Sequence, residues 1–419
     1  MKLRPTNNHS VRSITRRTLL LGIGLTVVAG LWAPAAHAQS VVEPLAITGQ
    51  PLRPTLPAPT GQHRIGVVQL HLADHTRPDP WVPAQTVREL MVSLWYPAQH
   101  ANRYPLAPWL PPAAWARFEQ DYGIPPGVLQ VPLTHGAVGA PADPERDGRP
   151  VVLYSPGFGS TRDSGTILVE ELVSRGYIVV TIDHTHEASA VEFPDGRVET
   201  PALPQATDES TEKAVAVRVA DTRFVLDTLT ELNAGTNPDA EHRSLPSGLR
   251  GALRMSSVAM FGHSLGGATA AAAMREDQRI TAGVNLDGSL VGPVVNAGLD
   301  RPFLLVAGQD HGRDNDETWA KFWANQRGWR LNLQLTGSAH GSFTDFQALV
   351  PQTAGVLSLP ADAVQQLIGT IDPHRSVTNQ RAYLTAFFDT HLRHRDGHLL
   401  DRPHHASRKC SSFPSSAPP

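Results

Sequence analysis

The sequence predicts an α/β fold in which a mostly parallel central sheet is covered by helices on both faces of a single domain. Two observations carry this prediction. From residue 151 onward, short strand-like segments alternate with segments of helical spacing. These strand-like segments are continuously apolar rather than alternating, which is typical of parallel strands buried on both faces.

The N-terminal segment, residues 1–38, predicts a bacterial export signal. Basic residues up to Arg17 precede an apolar run at 18–31, and Ala36-His37-Ala38 is a small-x-small cleavage site. Arg16-Arg17 within TRRTLL favours the twin-arginine route, with a general secretory signal as the alternative. We therefore expect a secreted or periplasmic protein.

The region before residue 151 divides into three parts. Residues 39–61 are rich in proline and have no hydrophobic period, so they predict a linker. Segments 64–73 and 88–95 alternate apolar and polar residues and predict two antiparallel strands. Residues 97–150 are dense in proline but carry aromatic residues between Trp109 and Phe118, and predict an insertion with some buried content.

The remaining elements follow in order along residues 62–395, the predicted catalytic domain. Strands are expected at 151–154, 177–182, 258–261, 282–286, 303–307 and 331–335, and helices at 166–174, 213–232, 265–274, 317–324 and 380–391. Residues 396–419 are polar and predict a disordered tail.

The composition argues against several classes of partner and of metal site. With 36 Lys and Arg against 39 Asp and Glu, the net charge is −3, which argues against a nucleic-acid partner. The single cysteine, Cys410, excludes an intramolecular disulfide and a cysteine-rich metal site. His184 and His186 resemble a metal pair, but no third ligand of supporting spacing follows, so we expect them in loop or supporting roles. No metal or organic cofactor is expected, and no obligate protein partner is evident.

The sequence Gly262-His263-Ser264-Leu265-Gly266 fits the G-x-S-x-G nucleophile elbow. The motif requires an abrupt turn from a strand into a helix, and Ser264 lies between a predicted strand and a predicted helix. A serine at such a bend projects above the sheet edge, and the first amides of the helix point toward charge that develops there. Ser264 is therefore the candidate nucleophile, with an ordinary helix start as the alternative.

A serine nucleophile needs a histidine base and an orienting acid, in the chain order Ser, acid, His for the α/β-hydrolase arrangement. His340 follows the last predicted strand, in a loop of small residues. Two carboxylates compete for the third role, because Asp287 and Asp310 each follow a predicted strand. The residue pattern leaves both open.

The segment FGHSLGGATAAAAMREDQRITAGVNLDG resembles the plasma-type (group VII) platelet-activating factor acetylhydrolases and their bacterial relatives. SLWYPAQ, LYSPGFGSTR and AHGSFTDF extend the resemblance over about residues 62–395. The resemblance implies that Asp287 is the acid and His340 the base. One departure from the family pattern is Asp310, which follows a predicted strand and is a second plausible acid. In this fold, the backbone N–H groups of Phe158 and Leu265 are the expected oxyanion hole.

These observations together predict a secreted serine carboxylic-ester hydrolase that acts through an acyl-enzyme. The resemblance implies short-acyl or phospholipid esters as substrates, with no requirement for calcium. The alternatives are a polyester- or cutin-type hydrolase, a broad short-chain esterase and, from another class, a non-catalytic binding protein with a hydrolase fold. The aromatic segment 109–118 is a candidate for transient contact with a lipid interface, with packing over the acyl pocket as its alternative.

Overall fold

Eleven strands lie side by side in the central sheet of the computed structural model, which describes residues 50–204, 207–395, 398–400 and 408–409. A separate pair, β7 (Val191–Glu192) and β8 (Val198–Glu199), forms a small antiparallel ribbon. The strands of the central sheet are β1 (Ile65–Asp74), β2 (Arg88–Pro97), β3 (Leu106–Pro108), β4 (Leu133–Val138), β5 (Arg149–Ser155), β6 (Ile178–Ile182), β9 (Leu253–His263), β10 (Ile280–Leu286), β11 (Phe303–Ala307), β12 (Arg330–Gln334) and β13 (Arg408–Lys409).

The order of strands across the sheet is β13-β12-β11-β10-β9-β5-β6-β2-β1-β4-β3. All neighbours from β13 to β6 are parallel, whereas β2 is antiparallel to both β6 and β1. The predicted α/β class and the predicted antiparallel pair near the start of the domain are therefore confirmed.

Both faces of the sheet are buried, and β5 illustrates why its sequence does not alternate. Val151 and Leu153 belong to one hydrophobic cluster, whereas Val152 and Tyr154 belong to another. Because successive side chains point to opposite faces, a strand covered on both sides must be apolar at every position.

Helices cover the two faces. They are α1 (Pro112–Asp121), α2 (Thr166–Ser174), α3 (Asp208–Ala234), α4 (Leu265–Glu276), α5 (Val294–Ala297), α6 (Glu317–Asn325), α7 (Phe346–Thr353), α8 (Ala361–Ile368) and α9 (Pro373–Arg393). The five predicted helices correspond to α2, α3, α4, α6 and α9. Helix α3 is longer than predicted, since Thr207 caps its start and Gly235 ends it in the left-handed conformation.

The proline-rich region 97–150 contains β3, β4 and α1, which the sequence did not predict. Trp109 is buried, and its indole N–H donates to the carboxylate of Asp345 (2.8 Å). Trp115 and Phe118 are half-buried and stack on each other with ring centroids 5.4 Å apart. The aromatic residues of this insertion therefore belong to a small hydrophobic cluster that the insertion shares with helices α2, α7 and α9.

The described part of the predicted linker, residues 50–61, packs on the domain. Leu56 is buried, and the backbone N–H of Thr60 donates to the Glu171 carboxylate on α2 (2.8 Å). The predicted export signal, residues 1–38, lies outside the described residues, as does most of the predicted tail. Arg408 and Lys409 pair with β12, and this pairing was not predicted. None of the described helices is long and apolar enough to cross a membrane.

Candidate active site

The candidate catalytic side chains lie in loops that follow neighbouring parallel strands. His340 follows β12, Asp287 follows β10, Ser264 follows β9 and Phe158 follows β5. The carboxyl ends of parallel strands meet at one edge of a sheet, which is where open α/β folds bind their ligands. The topology therefore gathers residues that are far apart in the chain.

Ser264 forms the turn between β9 and α4. Its backbone has φ 55° and ψ −124°, a sparsely populated conformation for a residue with a side chain. A Cβ atom on Gly262 would overlap the backbone of Gly266, and one on Gly266 would overlap the carbonyl of Ser155. The two glycines thus permit the close approach of strand and helix that the turn requires.

The loops bring Asp287 and His340 into direct contact. His340 Nδ1–H donates to Asp287 Oδ2 at 2.7 Å. The Asp287 side chain is 5% exposed and that of His340 is 40% exposed, so the acid is enclosed while the imidazole remains accessible. The Ser264 N–H donates to the Leu286 carbonyl (2.8 Å), which links the turn directly to the residue before Asp287.

Electrostatics keep the Asp287 carboxylate ionised. Burial opposes ionisation, but hydrogen bonds from His311 and His340 outweigh it and hold the pKa of Asp287 well below its usual value. The Gly308 N–H adds a further hydrogen bond to Oδ1 (2.6 Å). Asp287 is therefore an anion that accepts three hydrogen bonds from neighbouring groups.

Asp310, the competing carboxylate, lies apart from His340. Its side chain is exposed and makes no hydrogen bond or ion pair with any residue that the structure describes. Its backbone carbonyl accepts from the Asn315 amide (2.7 Å), which shapes the loop after β11. The sequence left two carboxylates open, and the structure brings only Asp287 to the histidine.

His263, the residue before Ser264, contacts the loop of His340. Its Nε2–H donates to the His340 carbonyl (3.0 Å), and the two rings lie with centroids 4.5 Å apart. Burial, together with the neighbouring His340, lowers the pKa of His263 to about 3. His263 is therefore neutral and holds the His340 loop next to the Ser264 turn.

Arg218 on α3 supports the loop that contains the Phe158 amide. Its guanidinium donates to the carbonyls of Pro156 (2.6 Å) and Gly157 (3.1 Å) and forms a buried ion pair with Glu187. The backbone before Phe158 is thus fixed by a charged group from the core. The second expected donor, Leu265, begins α4, where first-turn N–H groups have no partner within the helix.

His184 and His186 do not converge on a metal site. His184 is hydrogen-bonded to Ser155 Oγ and Asp221 Oδ2, both at 3.0 Å. His186 contacts the Gln85 side chain at 2.9 Å. Within the described ranges, no group of three or more His, Cys, Asp or Glu side chains could hold a metal ion.

Sequence reasoning missed several residues of the site. His311 stands beside Asp310 at the end of β11 and contacts Asp287, while Arg218 interrupts the apolar run VAVRVA of α3. A charged residue within an apolar helical face and a histidine at a strand end were the available signals. Neither signal indicates that His311 contacts Asp287 or that Arg218 contacts Glu187 and Pro156, because these partners lie 24 to 62 residues away in the chain.

Residues 50–401 match the family model described as platelet-activating factor acetylhydrolase, isoform II. The match covers most of the chain. The chain belongs to this family. The resemblance seen in the Ser264 and Asp287 segments is therefore confirmed.

Curated relatives agree with this membership. The chain is 31% identical over 279 residues to a "Probable 1-alkyl-2-acetylglycerophosphocholine esterase" of Arthroderma benhamiae, covering 62% of this chain and 65% of that protein. It is 27% identical to the platelet-activating factor acetylhydrolase of Cavia porcellus, covering 51% of this chain and 53% of that protein. The matched regions thus span less than two thirds of these family members.

A solved structure supports the fold over a longer range. The ferulic acid esterase from Streptomyces cinnamoneus superposes with a TM-score of 0.70 at 36% identity, covering 84% of this chain and 96% of the esterase. The α/β-hydrolase fold of the family is therefore confirmed for this chain.

Proposed function

We propose that the protein is a serine carboxylic-ester hydrolase with Ser264 as nucleophile, His340 as base and Asp287 as the acid that orients it. The observation that carries the proposal is the 2.7 Å hydrogen bond from His340 Nδ1–H to Asp287 Oδ2, beside the strained turn at Ser264. This arrangement meets the requirement of a nucleophile, a base and an orienter on adjacent loops.

The first half of the reaction forms an acyl-enzyme. With its Nδ1 proton held by Asp287, His340 offers Nε2 as the base that takes the proton of Ser264 Oγ. The oxygen attacks the ester carbonyl, and the resulting oxyanion accepts from the backbone N–H groups of Phe158 and Leu265. His340 then gives the proton to the departing alkoxide, so that the alcohol leaves neutral.

Hydrolysis of the acyl-enzyme uses the same groups in reverse. His340 takes a proton from water, whose oxygen attacks the acyl carbon, and the proton returns to Ser264 Oγ as the carboxylic acid leaves. Asp287 stays ionised throughout and stabilises the transient imidazolium. The buried, hydrogen-bonded environment of Asp287 favours this constant negative charge.

Replacement of Ser264 by alanine tests the mechanism. Turnover of a short-chain nitrophenyl ester is expected to fall by at least about 10³-fold, with the residual rate coming from the oxyanion donors and binding. A fluorophosphonate probe is expected to label the wild-type protein at Ser264 and to leave Ser264→Ala unlabelled. Wild-type turnover by the alanine variant would refute the mechanism, and a folded wild-type protein that is neither labelled nor active would favour the non-catalytic alternative.

The proposed substrates are short-acyl esters, including acetyl esters of phospholipids. Membership of the family and the activities for which the Arthroderma benhamiae and Cavia porcellus relatives are named support this class. A second candidate is a broader carboxylesterase, because the structural neighbour named a ferulic acid esterase has higher identity and a more complete overlap.

A substrate panel separates these candidates. We expect the highest kcat/KM on a phospholipid with an acetyl group at its second position, relative to nitrophenyl esters of short and long acyl chains, methyl ferulate and polyester film. Addition of a calcium chelator is expected to leave the rate unchanged. A preference for methyl ferulate or for the film would replace the phospholipid assignment while leaving the triad intact.

Export to the periplasm or the medium completes the proposal. It rests on the twin-arginine-like sequence of residues 1–38. Replacement of Arg16 and Arg17 by lysine is expected to retain the full-length precursor in the cytoplasm. Continued export of the double variant would favour the general secretory route.

A further inference from the structure

A second histidine, His311, contacts the candidate acid on the side opposite His340. Its Nδ1 is 2.9 Å from Asp287 Oδ1, whereas His340 uses Asp287 Oδ2. Its other nitrogen, Nε2, is 2.8 Å from Asp316 Oδ2. The four side chains form a continuous row in the order His340, Asp287, His311, Asp316.

The partners of His311 fix its protonation state. An ionised carboxylate can only accept hydrogen bonds, so a ring with a carboxylate oxygen at each nitrogen carries two protons and a positive charge. Burial opposes this charge, but the hydrogen bonds to Asp287 and Asp316 outweigh it and raise the pKa of His311 to about 9. The indole of Trp319 covers the ring, with centroids 4.5 Å apart, and carries no charge.

Asp316 is itself firmly held. Its Oδ1 accepts from the Thr318 N–H (2.8 Å) and hydroxyl (2.6 Å) at the start of α6. Although burial opposes ionisation, the hydrogen bond from His311 and those from the helix start lower the pKa of Asp316 to about 2. The row therefore ends on a carboxylate anchored to a helix N-terminus, where negative charge is favoured.

We propose that His311 is a positioning residue for the ester hydrolysis proposed above: its imidazolium holds Asp287 in place between Asp316 and His340 and opposes a second positive charge on His340. The inference rests on the proposed function, since it concerns the same His340 and Asp287. Two consequences follow from the geometry, one mechanical and one electrostatic.

The mechanical consequence is that Asp287 cannot rotate away from His340. Its Oδ1 is held by His311 and by the Gly308 N–H, which leaves Oδ2 directed at His340. The electrostatic consequence is that two imidazoles share one carboxylate. Because both imidazoles contact the Asp287 carboxylate, a cation at His311 disfavours a second cation at His340.

The test measures kcat/KM against pH for a short nitrophenyl ester in three variants. His311→Asn keeps a neutral N–H near Asp287 but removes the positive charge. It is expected to move the acid limb of the profile, the pH range over which kcat/KM rises, to higher pH by roughly 0.5–1.5 units. Asp316→Asn preserves a good helix cap and is expected to move the limb to lower pH. The double variant removes one charge of each sign, and its limb is expected to return most of the way to wild type.

Asp310→Asn is the matched control, because Asp310 is an exposed carboxylate next to His311 with no contact to the row of side chains. Its acid limb is expected to stay within about 0.2 units of wild type, since salt screens exposed charges. A His311→Asn protein with a lower kcat but an unmoved limb would reduce His311 to a structural role and overturn the inference. If His311→Asn does not fold, an unmoved limb in Asp316→Asn overturns it equally.

Different measurements test the role of His311 and the proposed ester hydrolysis. Loss of activity in Ser264→Ala and fluorophosphonate labelling of the wild type depend on the triad alone. Both results together with unmoved acid limbs would reject the role of His311 and retain the hydrolase. Wild-type activity in Ser264→Ala would reject both.

Discussion

Replacement of Asp287 by asparagine isolates the acid of the proposed triad. Asp287 accepts hydrogen bonds from His340 (2.7 Å), from His311 (2.9 Å) and from the Gly308 N–H (2.6 Å) in a nearly closed environment. An asparagine has one acceptor oxygen for these three donors. If its amide faces His340, the imidazole proton moves to Nε2, and the nitrogen that should act as base becomes a donor.

The expected loss in kcat is about 10⁴-fold, which corresponds to about 5.4 kcal/mol of transition-state stabilisation. Loss of the tautomer accounts for part of this, and loss of the negative charge that stabilises the imidazolium for the rest. The assay is steady-state hydrolysis of a short nitrophenyl ester, with active sites counted by the initial burst. Thermal unfolding of each variant verifies that the protein is folded.

Asp310→Asn is the matched comparison, since both residues follow neighbouring strands of the sheet. The Asp310 side chain is exposed and makes no contact with His340, so its variant is expected to retain wild-type kcat within about twofold. A large loss in Asp310→Asn with a small one in Asp287→Asn would refute the assignment.

Three further predictions concern the support of the site. Arg218→Met leaves the Glu187 carboxylate buried without its cation, so the free energy of unfolding in urea titrations should fall by about 3–5 kcal/mol. Arg117→Met, which removes an exposed i,i+4 ion pair, should lower it by less than about 1 kcal/mol. Similar losses in the two variants would contradict a stabilising role for the buried Arg218–Glu187 pair. Gly266→Ala places a Cβ atom against the backbone at the end of β5, which should displace the Ser264 turn and lower kcat by about 10²-fold or more even if the protein folds. A wild-type kcat would show that the turn tolerates this displacement. The pKa of His311 in the folded protein is about 9, above its unfolded value of about 6.5, so the stabilisation from its ion pairs is fully present below pH 6.5 and is lost as the pH rises to 9. Between pH 6.5 and 9.5, the free energy of unfolding of wild type should therefore fall by up to about 3 kcal/mol more than that of His311→Asn. The same pH dependence of stability in both proteins would count against a charged His311.

The regular part of the fold could be predicted from local pattern alone. Strands such as β11 and helices such as α2 lie at the predicted positions because each depends on the apolar content and spacing of its own residues. The region 97–150 was harder. Its β3 and β4 pair with each other, and β4 pairs with β1, so their hydrogen bonds come from distant segments that local propensity does not report.

The G-x-S-x-G turn was also predictable, because its requirements are local. Gly262 and Gly266 must lack side chains for the strand and helix to approach, and Ser264 must take the strained position between them. A five-residue pattern with a strand before it and a helix after it contains all of this information. The placement of His340 at the same sheet edge could be predicted because it follows β12, the last strand that the sequence predicts.

The choice between Asp287 and Asp310 could not be made from the pattern of residues, since both follow a strand that ends at the same sheet edge. The bend after β10 gives Asp287 a φ of 60° and brings its carboxylate to the Nδ1 atom of His340, whereas the loop after β11 turns Asp310 into solvent. Two carboxylates that each follow a parallel strand thus have opposite burial.

The amino-acid sequence by itself determined the α/β class, the turn at Ser264 and the chain order of the candidate nucleophile, acid and base, because these depend on short-range periodicity and on steric limits at a few positions. Tertiary structure alone decided which groups surround Asp287. His311 and Gly308 reach it from the loop after β11, and His340 reaches it from the segment after β12. Groups 21 to 53 residues apart in the chain become hydrogen-bonded to Asp287 only when parallel strands align their carboxyl ends.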